Sequence, residues 1–315
     1  MSINFALTIA LAFLVLAAAG WTVAAPDEFA AVVGFVIYGL LLALVWMSLR
    51  SVDIALTEAA IGSGVTGVLL VGAVARLRNA ELPGVIERPG AALHLSAAVL
   101  CISVTVGLAV VVLFLPCPAP SLAPSVAANL AATGLGNPVA AVLLAYRALD
   151  TLLEAALLPL ALIGVWSLTA DQFWGGRPGI RHRADREGVL VYLAQLLVPF
   201  GVLMGIHLVW VGADDPGGKF QGGTILAAMW ILTMMAGITD APPISRLGLR
   251  IILIAGPLAF LAIGLAGFVL PGAFLAYPPG LAKPLILIIE AALTPSIAAA
   301  LGLLLAGPPE RMSNR

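Results

Sequence analysis

Charge is scarce in this chain. Only 10% of its 315 residues are Asp, Glu, Lys or Arg, and the net charge is −1. Ordinary soluble domains carry about 25% charged residues, so a water-soluble fold is excluded. No basic surface for nucleic acid is present either. Cysteine is nearly absent: Cys101 lies inside a long apolar run and Cys117 just past its end, which gives neither a disulfide framework nor a metal site. His94, His182 and His207 are scattered without ligand spacing. The sequence has no haem signature, no nucleotide fingerprint and no Ser/His/Asp set. The chain is therefore expected to be no enzyme on its own, with no cofactor and no bound metal. Any energy input should come from an ion gradient or a partner subunit. Lys and Arg are also missing ahead of the apolar run Ile3–Val23, which is longer than a signal-peptide core. That run reads as a retained span, although Val23-Ala24-Ala25 resembles a cleavage site.

What fills the chain is apolar length. Hydrophobic residues make up 62%, and runs of 18 or more recur. The fold class is all-α: a polytopic integral membrane protein embedded in the lipid bilayer. Nine spans are expected, at about Ile3–Val23, Phe29–Leu49, Ile54–Ala75, Ala91–Leu115, Pro138–Leu168, Val189–Val211, Thr224–Ile238, Leu247–Leu270 and Leu281–Ala306. Turn chemistry marks the connections, among them Leu82-Pro83-Gly84, the Pro/Ser-rich stretch Pro116–Pro124, and Asp215–Gly218. Orientation follows from Lys and Arg. With the N-terminus outside, Arg76, Arg78, Arg88, Arg177, Arg181, Arg183, Arg186, Arg246, Arg250, Arg311 and Arg315 all fall on the cytoplasmic side. Arg50, Lys219 and Lys283 face out, and Arg147 is within the membrane. The C-terminus is then cytoplasmic.

Ionisable groups near mid-membrane cost at least ~2.5–3.5 kcal/mol each and default to a functional reading. Arg147, Asp150 and Glu154 are spaced three and then four apart, which on a continuous helix places them on one face. One cation and two carboxylates do not balance, so an ion or proton path is expected there. The competing reading is a salt bridge locking two helices. Glu290, near mid-depth in the last span, has no opposite charge within a turn and is the second transport candidate. Glu58 stands equally between path and structure. Asp53, at the outer rim, reads better as a helix cap, Lys283 as a snorkelling anchor, and His207 as a satisfied interfacial histidine. The loop Asp214–Gly223 fails the phosphate-loop template, since Ala213 stands at the first Gly and Phe220 follows the Lys. Pro216, Gly217, Gly218, Gly222 and Gly223 instead suit a tight reversal into a closely packed helix.

Three stretches carry a family resemblance. Asp53–Gly62, DIALTEAAIG, resembles the D-type helices of membrane-bound hydrogenases, a module also found in the C-terminal extension of the Mrp antiporter large subunit. Tyr146–Glu154, YRALDTLLE, resembles the E-type segment that follows it in those hydrogenases, usually F-R-x-x-D-T-x-x-E. Val189–Leu232, with PGGKFQGG inside it, is similar to the Mrp antiporter B subunit. The chain thus reads as a D-like module (1–88), an E-like module (89–187) and a B-like module (188–315), without the large antiporter-like domain that precedes the first two in the Mrp large subunit. The resemblance implies a multi-subunit complex related to the complex I membrane arm, with antiporter-like subunits as partners and Na+ or H+ as cargo. It implies roles for Asp53, Glu58, Arg147, Asp150, Thr151, Glu154 and the loop Pro216–Gly223. In the family the loop often reads G-H-x-x-P-G-G-G-F. Here Ala213 replaces the His and Lys219 replaces a Gly, and the added positive charge would oppose a cation at the outer mouth.

Two functions in different classes remain alongside the Mrp-type Na+/proton antiporter subunit of a bacterial or archaeal cell membrane. One is the ion-pumping coupling subunit of a redox-driven, hydrogenase-type assembly. The other is a scaffold whose buried charges only fix helix packing.

Overall fold

In lipid every backbone N–H and C=O must find a partner within the protein, so long apolar runs become helices. The structure, a computed structural model, describes residues 3–79, 90–179 and 188–312. The Leu82-Pro83-Gly84 turn, His182, Arg88, Arg181, Arg183, Arg186 and Arg315 lie outside the described residues, as do the expected module boundaries.

The first helix, α1 (Ile3–Ala24), packs on α2 (Glu28–Ser48), whose N-terminus is capped by Asp27 accepting from the Ala30 N–H at 3.0 Å. The third span is α3 (Val52–Thr57), a π-helical segment Glu58–Val65, and α4 (Thr66–Asn79). Then come α5 (Ala91–Leu113), α6 (Ala123–Thr133) and α7 (Pro138–Ala141). A second π-helical turn, Val142–Tyr146, leads to α8 (Ala148–Trp166). The remaining helices are α9 (Val189–Val211), α10 (Lys219–Met235), α11 (Leu247–Val269) and α12 (Ala282–Ala306). A small antiparallel pair joins β1 (Arg177–Pro178) to β2 (Pro309–Arg311).

Among the described residues, eight helices are long and apolar enough to cross a bilayer. The 17-residue α10 adds about 26 Å of helix at 1.5 Å per residue and packs on both α9 and α12. Three elements differ from expectation, the third being the fifth span. The Pro/Ser-rich connection continues into α6, which is bent 87° from the piece that follows it. The seventh span begins at Lys219, five residues earlier than Thr224, because the glycines there pack as helix rather than loop.

The fifth span is not continuous. Arg147 has φ −128° and ψ 36°, outside the helical region, although it is neither Gly nor Pro. Such a break frees carbonyls that lipid cannot satisfy. Here they are satisfied in turn. Arg147 N–H donates to the Val142 carbonyl at 2.8 Å, Thr151 Oγ1 to Leu143 at 2.6 Å, and the Tyr277 hydroxyl to Leu144 at 2.7 Å. Burial pushes the Tyr277 phenol up, which keeps it a donor.

The core is centred on α12. Ile286, Ile289, Leu293, Ile297 and Leu303 are sealed against α8, α10 and α11. Ser296 stitches α12 to α11, donating to the Ile252 carbonyl at 2.6 Å and accepting from the Gly256 N–H at 3.0 Å. A Cβ at Gly256 would lie 2.7 Å from the Leu293 Cα, so only glycine allows this approach. By contrast, α5 has no buried residue.

Charges sort to two ends. At one, Lys283 Nζ pairs with both Asp214 oxygens at 2.7 Å. At the other, Arg76 meets Glu310 at 3.3 Å, Arg311 meets Asp240 at 3.2 Å, Arg177 donates to the Ala241 carbonyl at 3.0 Å, and Arg250 to Ile244 at 2.9 Å.

Candidate functional site: a polar cavity at the junction

The loop after α9 is drawn inward by its glycines. Gly218 has φ +117°, and its N–H reaches back to the Leu208 carbonyl at 2.8 Å. The turn starts α10 below the end of α9, with Lys219 as its first residue. A cavity of about 340 Å³ opens against that helix start. Apolar walls come from Ile54, Ile61, Leu143, Leu144 and Phe220, and the polar groups are Asp53, Thr57, Asn137, Glu154, Lys219, Gln221 and Glu290.

These groups arrive from α3, the start of α7, α8, α10 and α12. Asp53 is 9% exposed and firmly held: its Oδ1 accepts from the Gly217 N–H at 3.0 Å, and Asn137 Nδ2 lies 3.3 and 3.4 Å from its two oxygens. Gln221 Nε2 donates to Thr57 Oγ1 at 3.0 Å and to the Asp53 carbonyl at 3.3 Å. Glu290 is 2% exposed, and its Oε1 sits 3.1 Å from where a Cβ on Gly218 would stand. That position faces the N-terminus of α10, where helix N–H groups favour an anion. Its other oxygen, Oε2, is buried with no hydrogen-bond partner among the described residues. Glu154 is exposed at the cavity's edge. Lys219 is 3% exposed, with Nζ 5.3 Å from the centre of its neighbour Phe220's ring. Both Glu290 and Glu154 act on its charge, but neither makes a direct ion pair with it among the described residues.

Of the residues expected from sequence, the cavity gathers Glu154, Glu290, Asp53 and the loop Gly217–Gly218. Asp53 is no rim cap: it ties α3 to the loop before α10. Arg147 lies in the helix break, so the expected face of Arg147, Asp150 and Glu154 is not carried by one continuous helix, and of the three only Glu154 lines the cavity. Arg147 pairs with Asp150 at 2.6 Å, both side chains exposed on the surface of the chain. That pair lies within one helix start and locks no two helices. Thr151 is spent on the Leu143 carbonyl. Glu58 does not line the cavity. It lies over Gly39 and Gly62, where a Cβ at either position would crowd its carboxylate, beside the buried Ser63. His207 is exposed on α9. Lys283, half-buried, anchors Asp214, whose carboxyl the Lys283 hydrogen bond holds below its usual range.

Comparison with known proteins fits this geometry. Residues 7–79 match MbhD, the family of the MBH D subunit, and residues 189–307 match the domain related to the MnhB subunit of Na+/H+ antiporter. The chain is a fusion of an MbhD-like part and an MnhB-related part. It is similar to a chain of the Mrp complex from Dietzia sp. DQ12-45-1b, with a TM-score of 0.72, 25% identity, 97% of this chain covered and 35% of that chain. It shares its fold with a chain of the membrane-bound sulfane sulfur reductase, an archaeal respiratory membrane complex, at a TM-score of 0.52 and 23% identity, over 67% of this chain and 97% of that one. The uncharacterized protein MJ1307 of Methanocaldococcus jannaschii is 29% identical over 154 residues, 44% of this chain. The chain spans 59% of the length of that relative. It is a multi-pass membrane protein built of Mrp- and MBH-type parts. The cavity sits where the MbhD-like part, through Asp53 and Thr57, meets the MnhB-related part, through Lys219, Gln221 and Glu290.

Sequence reasoning missed Asn137, and it kept Lys219 and Gln221 in the outer loop instead of in the cavity. The Gly-rich context made Lys219 read as an outward-facing loop residue. The usable signal was charge balance: Asp53, Glu154 and Glu290 need a nearby cation, and Lys219 is the basic residue in the stretch that packs on them.

Proposed function

We propose that the chain is a membrane subunit of a multi-subunit, Mrp-type monovalent cation/proton antiporter complex, set in a bacterial or archaeal cell membrane beside antiporter-like subunits. The observation that carries this reading is the cavity at the junction of the two matched parts, which holds three carboxylates and one buried ammonium. Burial of Asp53, Lys219 and Glu290 against an apolar wall is costly for a scaffold and suits a path on which a proton or cation is passed among the cavity's acids. Glu154, at the exposed edge, would receive the ion, and Glu290, with an unpartnered oxygen, would pass it on. Arg147 and Asp150 would present a neutral pair to a neighbouring subunit. The segment between the matched parts would act as an E-like module, supplying Asn137 and Glu154. The arginine-rich end would face the cytoplasm.

A second reading, the coupling subunit of a redox-driven assembly, is favoured by the fold shared with the sulfane sulfur reductase chain. The subunit list of the complex purified through this chain separates the two. Antiporter-like subunits alone, with Na+-dependent proton movement in membrane vesicles, support the first reading. Co-purifying iron–sulfur subunits would replace it with the second.

A further inference from the structure

Lys219 brings a cation into a cavity otherwise charged by acids. It enters from the first residue of α10 and is 3% exposed. Every acid facing it comes from another element: Asp53 from α3, Glu154 from α8 and Glu290 from α12. Asp53 is already satisfied by Gly217 and Asn137. The remaining ligands for a metal cation would be Glu154, Glu290, water, and the carbonyl oxygens of Asn137 and Gln221. Asn137 Oδ1 is otherwise engaged, capping α7 by accepting from the Val139 N–H at 2.8 Å, and the Gln221 side chain is held in place by its Nε2 donating to Thr57 and the Asp53 carbonyl. A sodium ion between Glu154 and Glu290 would sit beside a fixed ammonium in a low-dielectric wall, where like charges repel strongly. A proton is different, because it neutralises a carboxylate and needs no coordination shell.

We propose that Lys219 is a tethered counter-ion that sets the specificity of this cavity, admitting protons to Glu154 and Glu290 and refusing Na+. This rests on the cavity being an ion path, and it assigns the Na+ step of the complex to a site elsewhere. The ammonium is tethered to α10 and cannot leave, so it offsets one of the two acids without being transported. Removing it should leave a pair of carboxylates short of one positive charge, and a mobile Na+ would then fill the deficit.

The test reads the cavity directly, without transport. A hydrophobic carbodiimide reacts with protonated buried carboxyl groups, and the adduct on the peptides carrying Glu154 and Glu290 is quantified by mass spectrometry. The intact complex is labelled in NaCl or in choline chloride at constant ionic strength. The wild type should label at the same rate in both salts. Lys219→Gly should become protected by Na+, its labelling slowed by about tenfold or more. Lys219→Arg keeps the charge and should remain indifferent to Na+. Protection of the wild type by Na+ would overturn the proposal. So would Lys219→Gly remaining indifferent, or Lys219→Arg behaving like Lys219→Gly. Loss of assembly in both variants would also overturn it, marking Lys219 as a strut. Failure of the antiporter reading would register separately, as absent Na+-dependent flux in the wild-type complex.

Discussion

Asn137 Nδ2 lies 3.3 and 3.4 Å from the two carboxylate oxygens of Asp53, 84 positions away in sequence. The same nitrogen reaches the carbonyls of Gly212 and Asp215 at 3.2 and 3.1 Å, while Oδ1 caps α7 by accepting from the Val139 N–H at 2.8 Å. One side chain thus fastens three parts of the chain. Asn137→Ala should cost ~0.5–2 kcal/mol for the cap alone, plus the loss of a donor to a buried carboxylate. A lower melting temperature in detergent would register it. Asn137→Asp should be worse, since it sets two carboxylates face to face.

The break at Arg147 survives only because its carbonyls are claimed. Thr151→Val and Tyr277→Phe each leave one partly buried acceptor unmet, at up to ~1–3 kcal/mol. Thermal unfolding should show a clear loss for each variant. Unchanged melting in both would mean that water or a partner subunit satisfies Leu143 and Leu144.

Close helix approach predicts a contrast between two glycines. A Cβ at Gly222 would overlap the Val209 side chain and come 2.6 Å from the Gly205 carbonyl oxygen, whereas one at Gly72 meets nothing within 4 Å. Gly222→Ala should reduce the amount of assembled protein by forcing α9 and α10 apart. Gly72→Ala should be tolerated by the fold of this chain, or stabilise α4 by ~0.5–1 kcal/mol through helix propensity. Quantified yield of the two variants checks the pair.

Asp214 is held below the ordinary carboxylate range by the hydrogen bond from Lys283. A depressed folded value means that its stabilising contribution is fully present above the unfolded value of about 3.9 and is lost as pH falls through the folded one. The pair is largely exposed, with side chains at 35% and 52%, so screening keeps it within ~0–1 kcal/mol. Lys283→Met should lower the melting temperature slightly at pH 7, and the difference from wild type should vanish at acid pH. A difference that grows on acidification would contradict the pairing.

Much of the fold was legible because apolar length leaves a membrane chain few options. The Arg147 break was not, since it carries neither Gly nor Pro and depends on Thr151 and Tyr277 meeting the freed carbonyls. The helix α6 hid in Pro and Ser residues that usually mark loops. In the cavity, Glu154 and Glu290 announced themselves by charge inside apolar runs. Lys219 did not, because the glycines around it resembled a surface turn, and only the packing of α10 against α12 shows where its side chain lies. Asp150, grouped with Arg147 and Glu154 by spacing, pairs with Arg147 and does not line the cavity.

The central claim is that ion traffic passes the cavity acids and not the Arg147–Asp150 pair. It is tested most directly by Na+-dependent proton flux in liposomes containing the purified complex with Glu154→Gln, Glu290→Gln or Asp150→Asn. The expected result is flux lost by at least about tenfold in the first two with assembly intact, each ~1.4 kcal/mol or more of coupling, and largely retained in Asp150→Asn. Wild-type flux from both cavity variants would contradict it.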